Sequence, residues 1–401
     1  MENSEVMCGY PMPNILILPT LSCQASCSYC FGPHVQSQVM TYEVVQKTAE
    51  WVNRLAGQAQ FYTQDRKVNI IFHGGEPLLA GHNYYEKALP AFVENISGKV
   101  SFTMLSNLWA LDERYADILK RYGVTVAASL DGPQEINDLQ RGEGYFKRTM
   151  AGLRILRDRG IPVFAICTFT PLSAPKADEI FDFFLEQKLD FQFKTVVEPF
   201  EANGRKVDTL PFEEHLKLIE RLLQRYIEHS GQIRVKSLER LVRSIIKREN
   251  AMYIAGNCLG KQLAVDPEGG IYNCQRFVGM KKYRWATITE NPSMKQLAST
   301  PGYCIYSQRL DKLREECSGC SYFDICAGGC AYNAFNNQLR NGVENNRDPD
   351  CRAYKGILDN IVELIGKLMT EYSGTNSDVN YKKKVLRLLL YGIPSHQWRM
   401  Y

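Results

Sequence analysis

Short apolar runs alternate with amphipathic stretches through the first half of the chain. The runs are Ile15–Leu18, Val68–Phe72, Val100–Leu105, Val124–Ser129, Val163–Thr168 and Phe191–Val197. Their lengths suit strands of a buried sheet. Between them lie helical patterns at 42–56, 84–97, 112–122, 145–159 and 176–188, with another at 211–228. In the first, Val44, Val45, Thr48, Trp51, Val52 and Leu55 share one helical face. Six strand–helix units in succession predict an α/β fold with a parallel sheet and right-handed crossovers, and curvature would make it a partial (β/α)6 barrel. In such folds the chemistry gathers at the carboxyl ends of the strands.

After about residue 230 the pattern changes. A basic helical stretch, Ile233–Lys247, leads to Cys258. Leu263–Cys274, with Asp266-Pro267-Glu268-Gly269-Gly270 between two apolar pairs, predicts a β-hairpin. The cysteines that follow lie in short loops and turns as far as Cys351, and residues 353–401 are helical and basic, with Lys382-Lys383-Lys384. The predicted organisation is an extension over 1–13, a barrel over 14–232, a small cysteine-rich domain over 233–355 and a helical tail over 356–401.

Composition narrows the class. At 401 residues and 45% hydrophobic content the chain can bury a full core. No apolar run approaches the ~18 residues that span a bilayer. Met1–Pro13 holds Glu2 and Glu5 and lacks a basic stretch followed by an apolar one, so no signal peptide is expected. Thirteen cysteines in such a chain point to a reducing cytoplasm rather than a disulfide framework.

Ten of those cysteines form two groups. The first is Cys23-x3-Cys27-x2-Cys30. The second is Cys258 and Cys274, then Cys317-x2-Cys320-x5-Cys326-x3-Cys330, and Cys351. Thiolates at short spacing suit iron–sulfur clusters. Zinc wants four ligands, and the first group offers three, with only His34 close by. Three thiolates on a cubane leave one iron open to a ligand. The formal charge of +4 is offset by about −4 from three clusters, so it gives no argument for nucleic acid. Cys8 and Cys167 are expected to be ordinary thiols, Cys167 within strand five, and Cys304 is a candidate extra ligand.

The other polar or glycine-rich motifs follow successive strands at the same end: His73-Gly74-Gly75-Glu76-Pro77 after the second, Ser106-Asn107 after the third, Ser129-Leu130-Asp131-Gly132-Pro133 at the fourth. With these in place, Cys23-x3-Cys27-x2-Cys30 resembles the defining motif of the radical S-adenosylmethionine (SAM) superfamily. Gly74-Gly75-Glu76-Pro77 resembles its glycine–glycine–glutamate motif. The stretch from Ser129 to Arg141 is similar to one in anaerobic sulfatase-maturating enzymes. The resemblance implies that Cys23, Cys27 and Cys30 hold a [4Fe–4S] cluster whose open iron chelates SAM, which is cleaved to methionine and a 5′-deoxyadenosyl radical. It also implies that Tyr29 lies against the adenine. Gly74, Gly75 and Pro77 would shape a loop that approaches the ligand, and Glu76 would accept from the SAM ammonium. Ser129 and Arg141 would contact ribose and carboxylate, with Asn107, Phe191 and Gln192 beside the cofactor.

The second cysteine group resembles the SPASM domain, including the Gly269-x4-Cys274 spacing. The resemblance implies two auxiliary [4Fe–4S] clusters, making three in all. Cys258, Cys274 and Cys330 would hold one, and Cys317, Cys320, Cys326 and Cys351 the other. Sulfatase-maturating enzymes complete the first of these with an upstream cysteine. Here that position falls within Ala251–Tyr253, which has none, and this predicts an open iron.

Chains of this layout modify peptides. The expected activity is therefore C–H activation on a ribosomally made precursor peptide, with thioether or other cross-link formation. Electrons would come from a flavodoxin- or ferredoxin-type donor. With only thirteen residues before the first strand, the leader would be gripped by the chain's own surfaces or by a separate leader-binding protein. Neither nucleic acid nor membrane is expected as a partner. Alternatives are a formylglycine-generating sulfatase maturase, a carbon–carbon cross-linking maturase, and a radical SAM enzyme acting on a small molecule. Sulfatase maturases carry an aspartate base after the second SPASM cysteine; here Gln275 stands there and cannot take a proton. Cys274-Gln275-Arg276-Phe277-Val278-Gly279 instead looks like thioether-forming maturases. The candidate catalytic residues are Lys194 and Glu198 at the sixth strand, with Gln275 and Arg276 approaching from the second cysteine group.

Overall fold

A computed structural model describes residues 12–32, 35–58, 67–200, 207–250, 256–342 and 345–373. Cys8, His34, the 251–253 position and Lys382–Lys384 lie outside these residues. The chain forms two compact units, interleaved in sequence. One comprises residues up to Ser129 with Arg141–Val163 and Cys258–Asp311; the other comprises Leu130–Gln140, Phe164–Asn257 and the residues from Lys312 onward. These units cut across the domain boundaries read from the sequence.

The first unit is built on β1 (Asn14–Ile17), β2 (Lys67–Phe72), β3 (Lys99–Ser106) and β4 (Thr125–Ser129), all parallel neighbours. Strand β7 (Gln262–Val265) joins β1 in parallel, with Ile17 beside Val265. β8 (Gly270–Tyr272) and β9 (Arg284–Thr287) then continue the sheet antiparallel, which makes it mixed. The hairpin predicted from 263–274 is therefore an extension of the β1 edge. That is why the chain around Cys258 and Cys274 belongs to the unit of the first cysteine group.

The helices take the predicted places. In α1 (Tyr42–Gln58), Val45, Thr48, Ala49, Trp51, Val52 and Leu55 are buried, and the Trp51 indole donates to the Pro292 carbonyl at 2.8 Å. α2 (His82–Asn95) and α3 (Glu113–Arg121) follow. Asp112 caps α3 by accepting from the Tyr115 amide at 2.9 Å, and Lys120 and Arg121 sit in its last turn, where cations oppose the helix dipole. A helix not foreseen, α4 (Gln134–Arg141), precedes α5 (Tyr145–Asp158).

In the second unit β5 (Val163–Phe169) and β6 (Phe191–Thr195) pair in parallel, with α6 (Ala177–Glu186), α7 (Phe212–Glu228) and α8 (Lys236–Lys247). The Ser237 hydroxyl clips α8 to β6 by donating to the Phe193 carbonyl and accepting from its amide. Helices α9 (Met294–Ala298) and α10 (Pro301–Glu316) close the first unit's third segment. α11 (Phe323–Cys326), α12 (Ala331–Asn341) and α13 (Cys351–Ser373) carry the late cysteines. Cys167 is fully buried in β5, its thiol directed at the Asp131 carbonyl at 3.5 Å, an ordinary core thiol as expected. Among the described residues no helix is long and apolar enough to cross a membrane.

Candidate active site

The loop after β1 carries Cys23, Cys27 and Cys30 and is closed by hydroxyls at its far end. Ser37 accepts from the Leu21 amide at 2.6 Å, donates its own amide to Ser22 at 2.8 Å, and shares a hydrogen bond with Thr20 at 3.0 Å. Inside the loop, backbone amides of Ala25 and Gly32 point at the sulfurs of Cys23 and Cys30, at 3.4 and 3.3 Å. Burial pushes the Cys23 thiol up to about 12, reinforced by Glu76 and the other two cysteines and opposed by the Ala25 amide. Such a thiol ionises when a metal takes it, so metal binding and deprotonation are coupled here.

The glycine pair after β2 packs against the cysteine loop. A Cβ on Gly74 would stand 2.3 Å from the Thr20 carbonyl oxygen, and one on Gly75 would stand 2.3 and 2.4 Å from those of Ser22 and Leu21. Gly75 and Glu76 donate their amides to Thr20 and Ser22. The glycines thus let this loop seat against the base of the cysteine loop, and that contact uses their missing side chains. Glu76 also has partners within the protein. Its carboxylate is 1% exposed and accepts from the Leu78 amide at 3.0 Å, the Ser106 hydroxyl at 2.7 Å and the Asn107 amide at 2.8 Å. Two of these hydrogen bonds, from Ser106 and Asn107, therefore bind the end of β2 to the end of β3, and the third caps the turn that follows. Burial nevertheless pushes it up to about 7, against those three donors. Pro77 opens the following short turn and is buried.

Asn107 is a junction. Its side-chain oxygen accepts from Gln24 at 3.2 Å and from the Trp109 amide at 3.0 Å, its carbonyl accepts from Thr149 at 3.0 Å, and its side-chain amide lies 4.0 Å from the Cys23 sulfur. The next residue, Leu108, is buried with φ 65°, a strained setting for a branched side chain. Gly152 on α5 makes room for it, since a Cβ there would stand 2.6 Å from that of Leu108.

Sequence reasoning missed the aromatic wall beside the cysteines. Tyr145, buried at the start of α5, packs with Ala25 and Cys27, and Cys23, Tyr29, Cys30 and Trp109 border the same cluster. Arg141 is 6% exposed. Its guanidinium donates to the Tyr145 hydroxyl at 3.1 Å and lies 5.4 Å from the Tyr29 ring centre. The structure thus joins Tyr29 to Arg141, two residues singled out independently. Trp109 meets Tyr145 edge-on at 4.9 Å and carries Arg148 at 4.6 Å. The buried Trp109 indole nitrogen has no hydrogen-bond partner among the described residues. Tyr145 at the start of a helix and Trp109 in a loop far from it in sequence gave no signal beyond ordinary packed positions. Ser129 closes β4 and is partly exposed.

The β6 candidates separate by face. Phe191 stacks on Phe184 at 4.6 Å and meets Phe181 edge-on, and Phe193 meets Phe169. Phe191 is therefore a core residue at the amino end of the strand, which corrects its placement beside a cofactor. Strand alternation turns Gln192 and Lys194 to the opposite face; Gln192 is buried and Lys194 half-buried. Glu198 is not an unpaired base either: Arg340 on α12 holds its carboxylate at 2.6 Å, while Asn336 and Arg340 take the carbonyls of Glu198 and Pro199.

Arg276 stacks on Phe31 at 5.5 Å, so the segment after Cys274 meets the residue after Cys30. Gln275 lies 3.9 Å from the Cys274 sulfur through its side-chain oxygen. Cys304 is half-buried in α10. In the second unit Cys317 and Cys326 are buried, Cys351 half-buried and Cys320 exposed. Burial raises the thiols of Cys317, Cys326 and Cys351; neighbouring cysteines add to this at all three, while Arg347 opposes it at Cys317 and Cys351. Among the described residues no three His, Cys, Asp or Glu side chains converge on one ion. A cubane takes each thiolate on a separate iron, and its ligands need not converge.

Comparison with known proteins agrees with this geometry. The radical SAM superfamily profile matches residues 17–186. A protein of Methanothermobacter thermautotrophicus, with no assigned function, is 35% identical over 236 residues, 59% of this chain and 87% of its own length. A cysteine-type anaerobic sulfatase-maturating enzyme of Clostridium perfringens is 25% identical over 80% of this chain and 89% of its own. Among solved structures, anSMEcpe with bound AdoMet superposes with a TM-score of 0.75 at 23% identity, covering 88% of this chain and 99% of that one. Streptococcus suis SuiB bound to precursor peptide SuiA gives 0.64 at 18% identity, covering 86% and 77%. At these identities the structural likeness speaks for the fold.

Proposed function

Since the chain belongs to the radical SAM superfamily, we propose that it uses S-adenosylmethionine to modify a ribosomally made peptide, with thioether formation the favoured outcome. The observation that carries this reading is the cysteine loop itself. Three thiols share one loop at the end of β1, seated on the Gly74–Gly75 turn and walled by Tyr29, Arg141 and Tyr145. Three thiolates and a fourth, open coordination site fit a [4Fe–4S] cluster that chelates SAM. When bound, the pair supplies a reducing electron and a hydrogen-abstracting radical.

The chain's own residues do the rest. The amides of Ala25 and Gly32 favour the thiolate forms of Cys23 and Cys30. Tyr29 and Tyr145 hold the Arg141 guanidinium where a carboxylate would be received, and keep water from its faces. The orphaned Trp109 indole N–H supplies one further donor for a polar ligand. Arg276 on Phe31 brings the second cysteine group's loop to the first, which supports a substrate lying between these segments. Cys317, Cys320, Cys326 and Cys351 suit an auxiliary cluster, and Cys258 and Cys274 contribute to another.

The sulfatase-maturase reading is the alternative, favoured by the named relatives. Gln275 weighs against it, because a neutral amide removes no proton. Anaerobic reconstitution with iron, sulfide, SAM and dithionite tests the class: wild type yields 5′-deoxyadenosine, and Cys23, Cys27 and Cys30 changed together to Ala yields none while keeping about eight irons. Retained 5′-deoxyadenosine in that variant would defeat the assignment. Co-expression with a cysteine-containing precursor separates the products. Loss of iodoacetamide-reactive thiols with no aldehyde supports the thioether, and thiol loss with an aldehyde captured by a hydrazide supports formylglycine.

A further inference from the structure

Cys258 and Cys274 are held together by a residue that neither the cysteine pattern nor the proposed mechanism uses. Asn273 is fully buried, and its side chain is bonded at both ends. Its oxygen accepts the Gly260 amide at 3.2 Å, and its nitrogen lies 3.2 Å from the Cys258 sulfur. The orientation is dictated by chemistry. A backbone N–H can only donate, so the side-chain oxygen must face Gly260, and the NH2 group must face the sulfur. A buried amide without water needs an acceptor. A neutral thiol is a poor one, whereas a thiolate or metal-bound sulfur is a good one. The local fold supports the same point: the Cys258 carbonyl accepts from the Lys261 amide, and Gly260 turns with φ 71° to present its N–H inward. Because Asn273 directly precedes Cys274, this one side chain fixes where both cysteines stand.

We infer that Asn273 is a positioning residue for an iron–sulfur centre that takes Cys258 and Cys274 as ligands, and that its N–H donation to the Cys258 sulfur stabilises the reduced form of that centre. Hydrogen bonds to cluster sulfurs disperse the added negative charge of reduction, so they raise the reduction potential. The inference rests on the reading that Cys258 and Cys274 bind a cluster. It goes further in naming the residue that tunes the potential.

The test uses the full chain with Cys23, Cys27 and Cys30 changed to Ala, so that only the remaining centres give signals. It is reconstituted anaerobically and titrated with dithionite while reduced clusters are followed by electron paramagnetic resonance. Asn273→Ser retains a donor, and Asn273→Asp replaces the NH2 group with an oxygen of nearly the same shape. One signal is expected to move to more negative potential in both, further in Asn273→Asp. The signal lost in Cys317→Ser should keep its position in both. An unmoved titration in Asn273→Asp with full iron content overturns the inference while leaving the cluster assignment standing. Cys258→Ser that keeps all its iron overturns the assignment and the inference with it. Should either Asn273 variant fail to hold iron, the unaltered protein decides. With 15N-asparagine, pulsed resonance should show nitrogen coupling to one reduced cluster that disappears in Cys258→Ser, and no such coupling overturns the inference.

Discussion

The two regions that bear the later cysteines solve one problem with opposite chemistry. Around Cys258 and Cys274 the organising side chain is a neutral amide, Asn273, which donates toward a sulfur. Around Cys326, Cys330 and Cys351 it is a buried carboxylate, Asp348, which is 1% exposed and accepts throughout. It takes the Cys330 amide at 2.8 Å, the Asp350 amide at 2.9 Å, the Asn333 amide group at 3.1 Å and the Tyr354 hydroxyl at 3.3 Å. Gly329, with φ 78°, exists to let it in, for a Cβ there would stand 2.3 Å from that of Asp348. Both devices order cysteine backbone. Only the carboxylate adds negative charge, and after burial and Cys351 it is among the causes that push the Cys326 thiol up to about 12. An amide near sulfur eases the arrival of an electron, and a carboxylate near sulfur opposes it. The comparison teaches that these regions, similar in cysteine content, are built for different charge states.

The largest expected effect comes from removing the carboxylate. Asp348→Ala leaves at least four donors without their acceptor and should cost about 3–5 kcal/mol of stability, and on the proposed cluster assignment it should also lower the iron content. A urea midpoint within error of wild type would show that the network is incidental.

A second buried carboxylate, Glu76, gives a pH test of the same principle. Its folded value of about 7 lies above the ordinary 4.5, with burial as the leading cause. Between those values the folded protein keeps a proton that the unfolded chain has released. Its contribution is therefore fully present below pH 4.5 and is lost as pH rises through about 7, by about 3 kcal/mol at most. Urea midpoints of the iron-free protein at pH 5 and 7.5 should differ in wild type and converge in Glu76→Gln. An equal difference in both proteins would place the titration elsewhere.

Removing the amide should cost less than removing Asp348. Asn273→Ala leaves one buried N–H without its acceptor and should cost about 1–3 kcal/mol. A loss as large as that of Asp348→Ala would erase the distinction between the regions.

The smallest effect belongs to Glu198, a carboxylate that is partly exposed and paired with Arg340. Glu198→Gln should lower stability by under about 1 kcal/mol and leave 5′-deoxyadenosine formation within about twofold of wild type. A tenfold fall in turnover with unchanged stability would restore it to the mechanism.

What the sequence by itself determined is what depends on near neighbours. Hydrophobic periodicity placed the first six strands and their helices to within a few residues, because strand and helix faces repeat over short distances. Cysteine spacing marked the first metal-binding loop for the same reason, since a short loop carries its three ligands together. The short helix Gln134–Arg141 escaped this reading. Asn137 and Gln140 tie it to nearby Asp131, and its distant anchor is the Thr168 carbonyl, which accepts from Gln140. Tertiary structure alone decided which face of β6 meets the helices, sending Phe191 into the core and Gln192 away from it. It decided that Gly74 and Gly75 close on Thr20–Ser22, that Arg340 claims Glu198, and that Trp109 and Tyr145 wall the cysteine loop. Each of these rests on a partner far along the chain, chosen by burial and by the need to satisfy every buried polar group, and no local pattern encodes that choice.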